Sequence, residues 1–86
     1  MIEIKTKDVT EAAYLWCVED FKFNRLERSQ KNKRTVFFIF QTELTEEDAG
    51  KVRNSFYNEE TLVEPKKFQQ RLSDVRNLLY ATFGKQ

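Results

Sequence analysis

The chain opens on an alternation. Ile2 and Ile4 are interleaved with Glu3 and Lys5, the period of a short half-buried strand. The period then changes. Asp8, followed by Glu11 three residues later, has the spacing of a capping box, in which Asp8 accepts from free backbone N–H groups and Glu11 reaches back. This predicts a helix over about residues 9–19. Val9, Ala12, Ala13 and Trp16 fall on one face of it, Tyr14 and Val18 on the opposite side, and Leu15 and Cys17 on the flanks. A helix apolar most of the way round is either buried on two sides or has something docked on its outer face.

Residues Phe21–Arg28 and Thr35–Thr42 read as a β-hairpin whose turn, Ser29–Arg34, is polar and basic. In the second strand Val36, Phe38 and Phe40 share one face, and Phe37 and Ile39 share the other. A strand apolar on both faces is expected to be central and covered on both sides. Thr45 and Asp48 open a second helix over residues 46–57, with Glu46 and Glu47 in a first turn where the helix dipole favours acids. Ala49, Val52 and Phe56 form its buried stripe, and Gly50 weakens it. Thr61–Val63 reads as a minor extended segment. Pro65 suits the first position of a third helix, which runs to about Thr82 and ends near Gly84. Phe68, Leu72, Val75, Leu79 and Phe83 make its stripe, widened by Leu78. The order β-α-β-β-α-(β)-α describes an α+β fold: a small antiparallel sheet with a central aromatic-rich strand and helices packed on it.

Composition supports one folded domain spanning residues 1–86. The 86 residues include eight Phe, three Tyr and one Trp. Each aromatic buries on the order of 150–250 Å², so a few of them fill most of a small core. The single cysteine, Cys17, has no partner for an internal disulfide, and a small secreted domain would ordinarily be cross-linked. The longest apolar run, Val36–Phe40, is far too short to span a bilayer, and the opening residues do not read as a signal peptide. These features lead us to expect a cytoplasmic protein, of a bacterial or infected host cell, that does not engage a membrane.

The formal net charge of +1 hides alternating blocks. Residues 1–20 hold two Lys and five acids. Residues 21–34 hold six Lys or Arg and one Glu. Residues 43–60 hold two Lys or Arg and six acids, and residues 64–86 five Lys or Arg and two acids. Such blocks allow a polarised surface but do not make the globally basic chain of a strong nucleic-acid binder.

Much catalytic chemistry lacks its residues. There is no histidine, and hence no imidazole base or metal ligand. One cysteine excludes a zinc knuckle or ribbon. Gly50 and Gly84 stand alone, so no phosphate-cradling glycine loop exists. Cys17, flanked by Trp16 and Val18, reads as a packed helix residue rather than a nucleophile. Glu46, Glu47 and Asp48 diverge by about 100° each around a helix and do not converge on one cation. The expectation is a non-enzyme with no catalytic residue, metal or cofactor.

Two surfaces remain as candidates. Lys22, Arg25, Arg28, Lys31, Lys33 and Arg34 gather on the hairpin and its tip. Such a ribbon can follow phosphates or meet another anionic partner, because Lys and Arg displace condensed counterions. It also reads as a solvated turn whose charges keep a strand edge from pairing. Tyr14 and Val18, on the outer side of the first helix, are the candidate protein interface and could close a symmetric homodimer. On the third helix Lys66 and Lys67 sit in the first turn against the dipole, which leaves room there for a partner anion or for pairing with Glu59, Glu60 or Glu64. Arg71 and Arg76 fall on opposite shoulders of the stripe.

Thr6-x-Asp8 leading to Ala12-Ala13-Tyr14-Leu15, then Val36-Phe37-Phe38-Ile39-Phe40, then Phe56-Tyr57 with Val63-x-Pro65-x-x-Phe68 and Leu78-Leu79-Tyr80, resemble an uncharacterised family, a domain of unknown function, of small bacterial and phage-encoded proteins. The resemblance spans nearly the whole chain and implies a compact accessory protein of a phage or mobile element. It carries over no catalytic or binding residue. The functional expectation is a non-enzymatic binding module, accessory or regulatory, that acts through a protein partner. The alternative is a nucleic-acid-binding accessory domain using the basic hairpin.

Overall fold

Local signals in the sequence set the elements, in the order β1 (Ile2–Thr6), α1 (Val9–Cys17), β2 (Phe21–Arg28), β3 (Val36–Thr42), α2 (Glu46–Tyr57) and α3 (Pro65–Phe83). The structure is a computed structural model, and it describes residues 1–32, 34–58 and 63–83. The expected extended segment at Thr61–Val63 lies largely outside the described residues. Val63 itself is half-buried against the core and belongs to no strand.

Caps start each helix. The Asp8 carboxylate accepts from the N–H groups of Thr10 and Glu11 at 2.9 and 3.1 Å. Burial pushes that carboxyl's pKa up, but the Thr10 hydroxyl and the two N–H groups outweigh it and hold the carboxyl below its usual value. Thr45 accepts from Asp48 N–H at 3.1 Å, and Glu64 accepts from Lys67 N–H at 2.7 Å. Gly50 stands inside α2, and a Cβ added there meets nothing within 4 Å. Gly50→Ala is therefore expected to stabilise the protein by about 0.5–1 kcal/mol, read as a higher urea midpoint at unchanged slope. A lower midpoint would contradict this account of α2.

The three strands form one antiparallel sheet in the order β1-β3-β2. β1 and β2 thus run parallel to each other with β3 inserted between them, a split β-α-β arrangement. Val36, Phe38 and Phe40 of the central strand face the helices with Ile4, Phe21, Phe23 and Leu26. Along β2 the register slips between Phe23 and Arg25, leaving Asn24 as a bulge. The bulge re-phases the strand, so Leu26 joins Phe21 and Phe23 on the inner face although it is out of step with them in sequence.

α1 touches all three strands and both other helices. Ala12, Ala13 and Leu15 are fully buried. α3 packs antiparallel to α1: its start lies beside Trp16 and Cys17, its end beside Val9. α2 docks on the remaining side of α1. Tyr14 was expected to point outward. It is only 6% exposed, because its ring stacks on Phe56 of α2 at 5.5 Å. Val18 is half-buried against the core. α2 covers the Tyr14 side of α1 from within the chain, which takes Tyr14 out of reach of a partner, whereas Val18 lines a cleft. Glu11 also departs from its expected place in a capping box. Its carboxylate is fully buried and accepts from Arg53 of α2 at 2.9 and 3.0 Å.

Among the described residues, no helix packs on the other face of the sheet. It presents Glu3 and Lys5 of β1, Phe37, Ile39 and Gln41 of β3, and Lys22, Arg25 and Glu27 of β2. Ile39 is nevertheless fully buried. Its cross-strand neighbours Lys5 and Arg25 lie on either side of it, and their charged ends meet Glu27 and Glu3. The stems of these charged residues cover the apolar centre while their heads stay in water. The second face of β3 is thus roofed by ion pairs rather than by a second layer. No helix among the described residues is long and apolar enough to cross a membrane.

Candidate functional site

The six basic residues of the hairpin do not make one surface. β2 rises about 3.3 Å per residue, so Lys22 and Arg28 are roughly 20 Å apart, and they diverge in direction as well. Arg25 sits on the open sheet face, where its guanidinium donates to Glu3 at 3.0 and 3.4 Å and to Glu27 at 3.4 Å. Lys5 pairs with the same Glu27 at 3.0 Å. The Arg25 hydrogen bond is the main reason the Glu3 carboxyl lies below the usual range, and the Lys5 hydrogen bond does the same for Glu27. Two of the chain's acids therefore already occupy Arg25. Arg28 leaves in the other direction. Its Nη2 donates to the Thr82 carbonyl at 3.0 Å and its guanidinium stands 5.2 Å from the centre of the Phe83 ring, tying the end of β2 to the end of α3.

The tip is held by its own short polar residues. The Ser29 hydroxyl accepts from the N–H groups of Lys31 and Asn32, and the Asn32 side chain accepts from Arg34 N–H at 2.9 Å. The Lys31 and Arg34 side chains are exposed. Arg34 also borders a cleft of about 260 Å³ with Lys7, Val36 and Phe38. Lys33 lies outside the described residues.

Lys22 has a different setting. It joins a larger cleft, of about 450 Å³, where the end of α1, the start of β2 and the first turns of α3 meet. Trp16, Val18, Phe21 and Phe23 give it an apolar wall, Lys67 and Arg71 are its cations and Glu19 its acid, while Lys22 borders it along the strand edge with its side chain on the open sheet face. The wall is rigid. Trp16 stacks on Phe23 at 4.8 Å, and both meet Phe40 edge-on, at 6.5 and 5.6 Å. Arg71 stands over the Trp16 ring at 4.8 Å, a cation–π contact, and Asp74 accepts from its Nη1 at 3.3 Å. The ammonium groups of Lys22 and Lys67 are in no ion pair among the described residues. Glu64, one of the acids expected to answer Lys66 and Lys67, instead caps the backbone at Lys67. Cys17 lines the same cleft but is buried. Burial pushes its thiol pKa up, with Lys67 and Arg71 pulling the other way. The cleft sets the cations Lys67 and Arg71 beside an apolar wall.

Lys67 and Arg71 were not among the hairpin candidates. The sequence signal that points to them is the placement of Lys66 and Lys67 in a helix first turn, against the dipole. Sequence alone does not bring them to Lys22, because that needs the antiparallel packing of α3 on α1.

No protein-family model matches the chain, and neither a curated protein nor a solved structure matches it.

Proposed function

We propose that this protein is a non-enzymatic binding module, a small accessory or regulatory protein of the phage or mobile-element type, that acts through a protein partner. The observation that carries the reading is the cleft at the start of β2. It joins an aromatic wall to the cations Lys67 and Arg71, of which Lys67 has no partner acid among the described residues. Protein interfaces combine an apolar centre rich in aromatics with a polar, charged rim, and a pocket of this make-up suits that pattern. The absence of histidine from the sequence and the single carboxylate in the cleft support the non-enzymatic part of the reading. The alternative, nucleic-acid binding along the hairpin, loses support from the dispersal of Arg25 and Arg28 to opposite faces and into contacts with the chain itself.

Affinity capture from a lysate of the source cell, with and without nuclease, tests this reading. A protein complex that survives nuclease is expected, together with no binding to short DNA or RNA at about 50 mM salt, where phosphate contacts are strongest. Loss of every captured protein on nuclease treatment would overturn it.

A further inference from the structure

The sheet has two edges, and the chain closes only one of them. At the β2 edge Phe21 N–H is donated to the Val18 carbonyl at 3.0 Å, Asn24 bulges out of the ladder, and Arg28 ties the strand to the Thr82 carbonyl. Devices of this kind keep an edge from pairing with another chain. β1 has none of them. It pairs with β3 in regular register over all five of its residues and has no strand on its other side. Apart from that ladder, no hydrogen bond among the described residues uses the main chain of Ile2–Thr6. The strand contains neither proline nor glycine.

The order of side chains along β1 selects what pairs there. Two copies of one edge meet antiparallel about a two-fold axis perpendicular to the sheet, so the residue on the axis faces its own copy. With Ile4, the middle residue of β1, on the axis, Glu3 faces Lys5 of the second copy and Ile2 faces its Thr6. All five residues are then paired. Ile2 and Ile4, both half-buried, meet their counterparts on the helix side, and each glutamate meets a lysine on the open face. With Glu3 or Lys5 on the axis, a charge faces its own copy instead, which destabilises the pair. The charges thus match in one register, the same one that uses the whole strand. Within the chain Glu3 has one ion-pair partner, Arg25, and Lys5 has one, Glu27. A carboxylate accepts several hydrogen bonds and an ammonium donates three, so a pair across the axis adds to these contacts without breaking them.

We infer that a second copy of this chain docks on the β1 edge, antiparallel about Ile4, and joins the two three-stranded sheets into one continuous sheet. The helices of both copies lie on one side of it, and the β2 edges, with their clefts, stay free at its ends. So short a ladder makes a weak dimer in exchange with monomer, and salt weakens it further.

Sedimentation equilibrium of the full chain is the test. A monomer–dimer equilibrium is expected between about 10 µM and 1 mM protein at about 20 mM salt, with the amide shifts seen on dilution centred on β1. Glu3→Lys gives β1 two lysines, and Lys5→Glu gives it two glutamates. Each variant alone sets like charge against like and is expected to dimerise about tenfold more weakly than the parent. Mixed in equal amounts, the two variants oppose unlike charges again and are expected to form a heterodimer about as tight as the parent dimer. This recovery separates pairing across the axis from the loss of contacts with Arg25 and Glu27, which mixing does not restore. Dispersed amide spectra establish that both variants are folded, and the dilution shifts of the parent decide the matter if either is not. A parent chain that stays monomeric at about 1 mM, dilution shifts centred away from β1, or a mixture that associates no better than its components would each overturn the inference.

Discussion

Phe40→Ala is expected to lower stability by about 4 kcal/mol, within the range for truncating a fully buried phenylalanine. Phe40 is fully buried at the middle of the sheet, paired with Ile4 on one side and Phe23 on the other. Its ring is the edge-on partner of both Trp16 and Phe23. A strand bonded on both sides cannot collapse into the space that the ring leaves, so the cavity cost is felt in full. At about 0.05–0.15 kcal/mol per residue, a domain of this length is stable by only about 4–13 kcal/mol. The variant therefore keeps only about 0–9 kcal/mol of that stability, and its urea midpoint is expected to fall sharply, as followed by far-UV circular dichroism. A loss under about 1 kcal/mol would mean that Phe40 is not the centre of the core.

Arg53→Ala is expected to cost about 3 kcal/mol. The Glu11 carboxylate is fully buried, and both of its oxygens are held by this one guanidinium. Removing the cation leaves a buried charge with only the Tyr57 hydroxyl beside it, and breaking a buried pair costs about 3–5 kcal/mol. The lower end applies because the Arg53 side chain is 33% exposed and water can partly replace it. Hydrogen bonding to Glu11 is the main reason the guanidinium holds its proton more tightly than usual. Arg53→Lys is expected to recover only part of the loss, since an ammonium does not reproduce the two-pronged contact. The paired change Glu11→Leu with Arg53→Met is expected to be close to neutral, because swapping a whole buried pair for apolar residues removes the desolvation cost along with the attraction. A double-mutant cycle in urea reads all of this. Equal losses for Arg53→Ala and the paired change would show that the ion pair does not anchor α2.

These two sites also show what the sequence makes legible. Phe40 is legible because five consecutive apolar residues, Val36–Phe40, place β3 at the centre of a sheet. The expected β2, α2 and α3 agree with the structure closely, since each is bounded by a cap, a turn or a change of period. Glu11 is not legible in the same way. Its spacing from Asp8 fits a capping box, and nothing local shows that a cation 42 positions later draws it across to α2. Tyr14 fails for a related reason. A helical wheel shows that α1 is apolar all round, but not that α2 is the element covering the outer side. Asn24 hides a bulge because a single extra residue leaves no mark in composition. The candidate site follows the same rule. Lys22 was visible as part of a basic run, yet it borders a cleft lined by Lys67 and Arg71 of another block, while Arg25 and Arg28 of its own run turn to opposite faces. Charge counts along a sequence report how much charge there is, and the register of β2 on β3 decides where it goes.

The central claim is that function resides in the cleft beside β2 and not at the hairpin tip. The most direct test compares two charge-reversed variants for binding to the captured partner, Lys22→Glu with Lys67→Glu against Lys31→Glu with Arg34→Glu. The account predicts that the cleft variant loses affinity by about tenfold or more and that the tip variant stays within about twofold of the parent. Loss of binding in the tip variant, with the cleft variant unaffected, would contradict it.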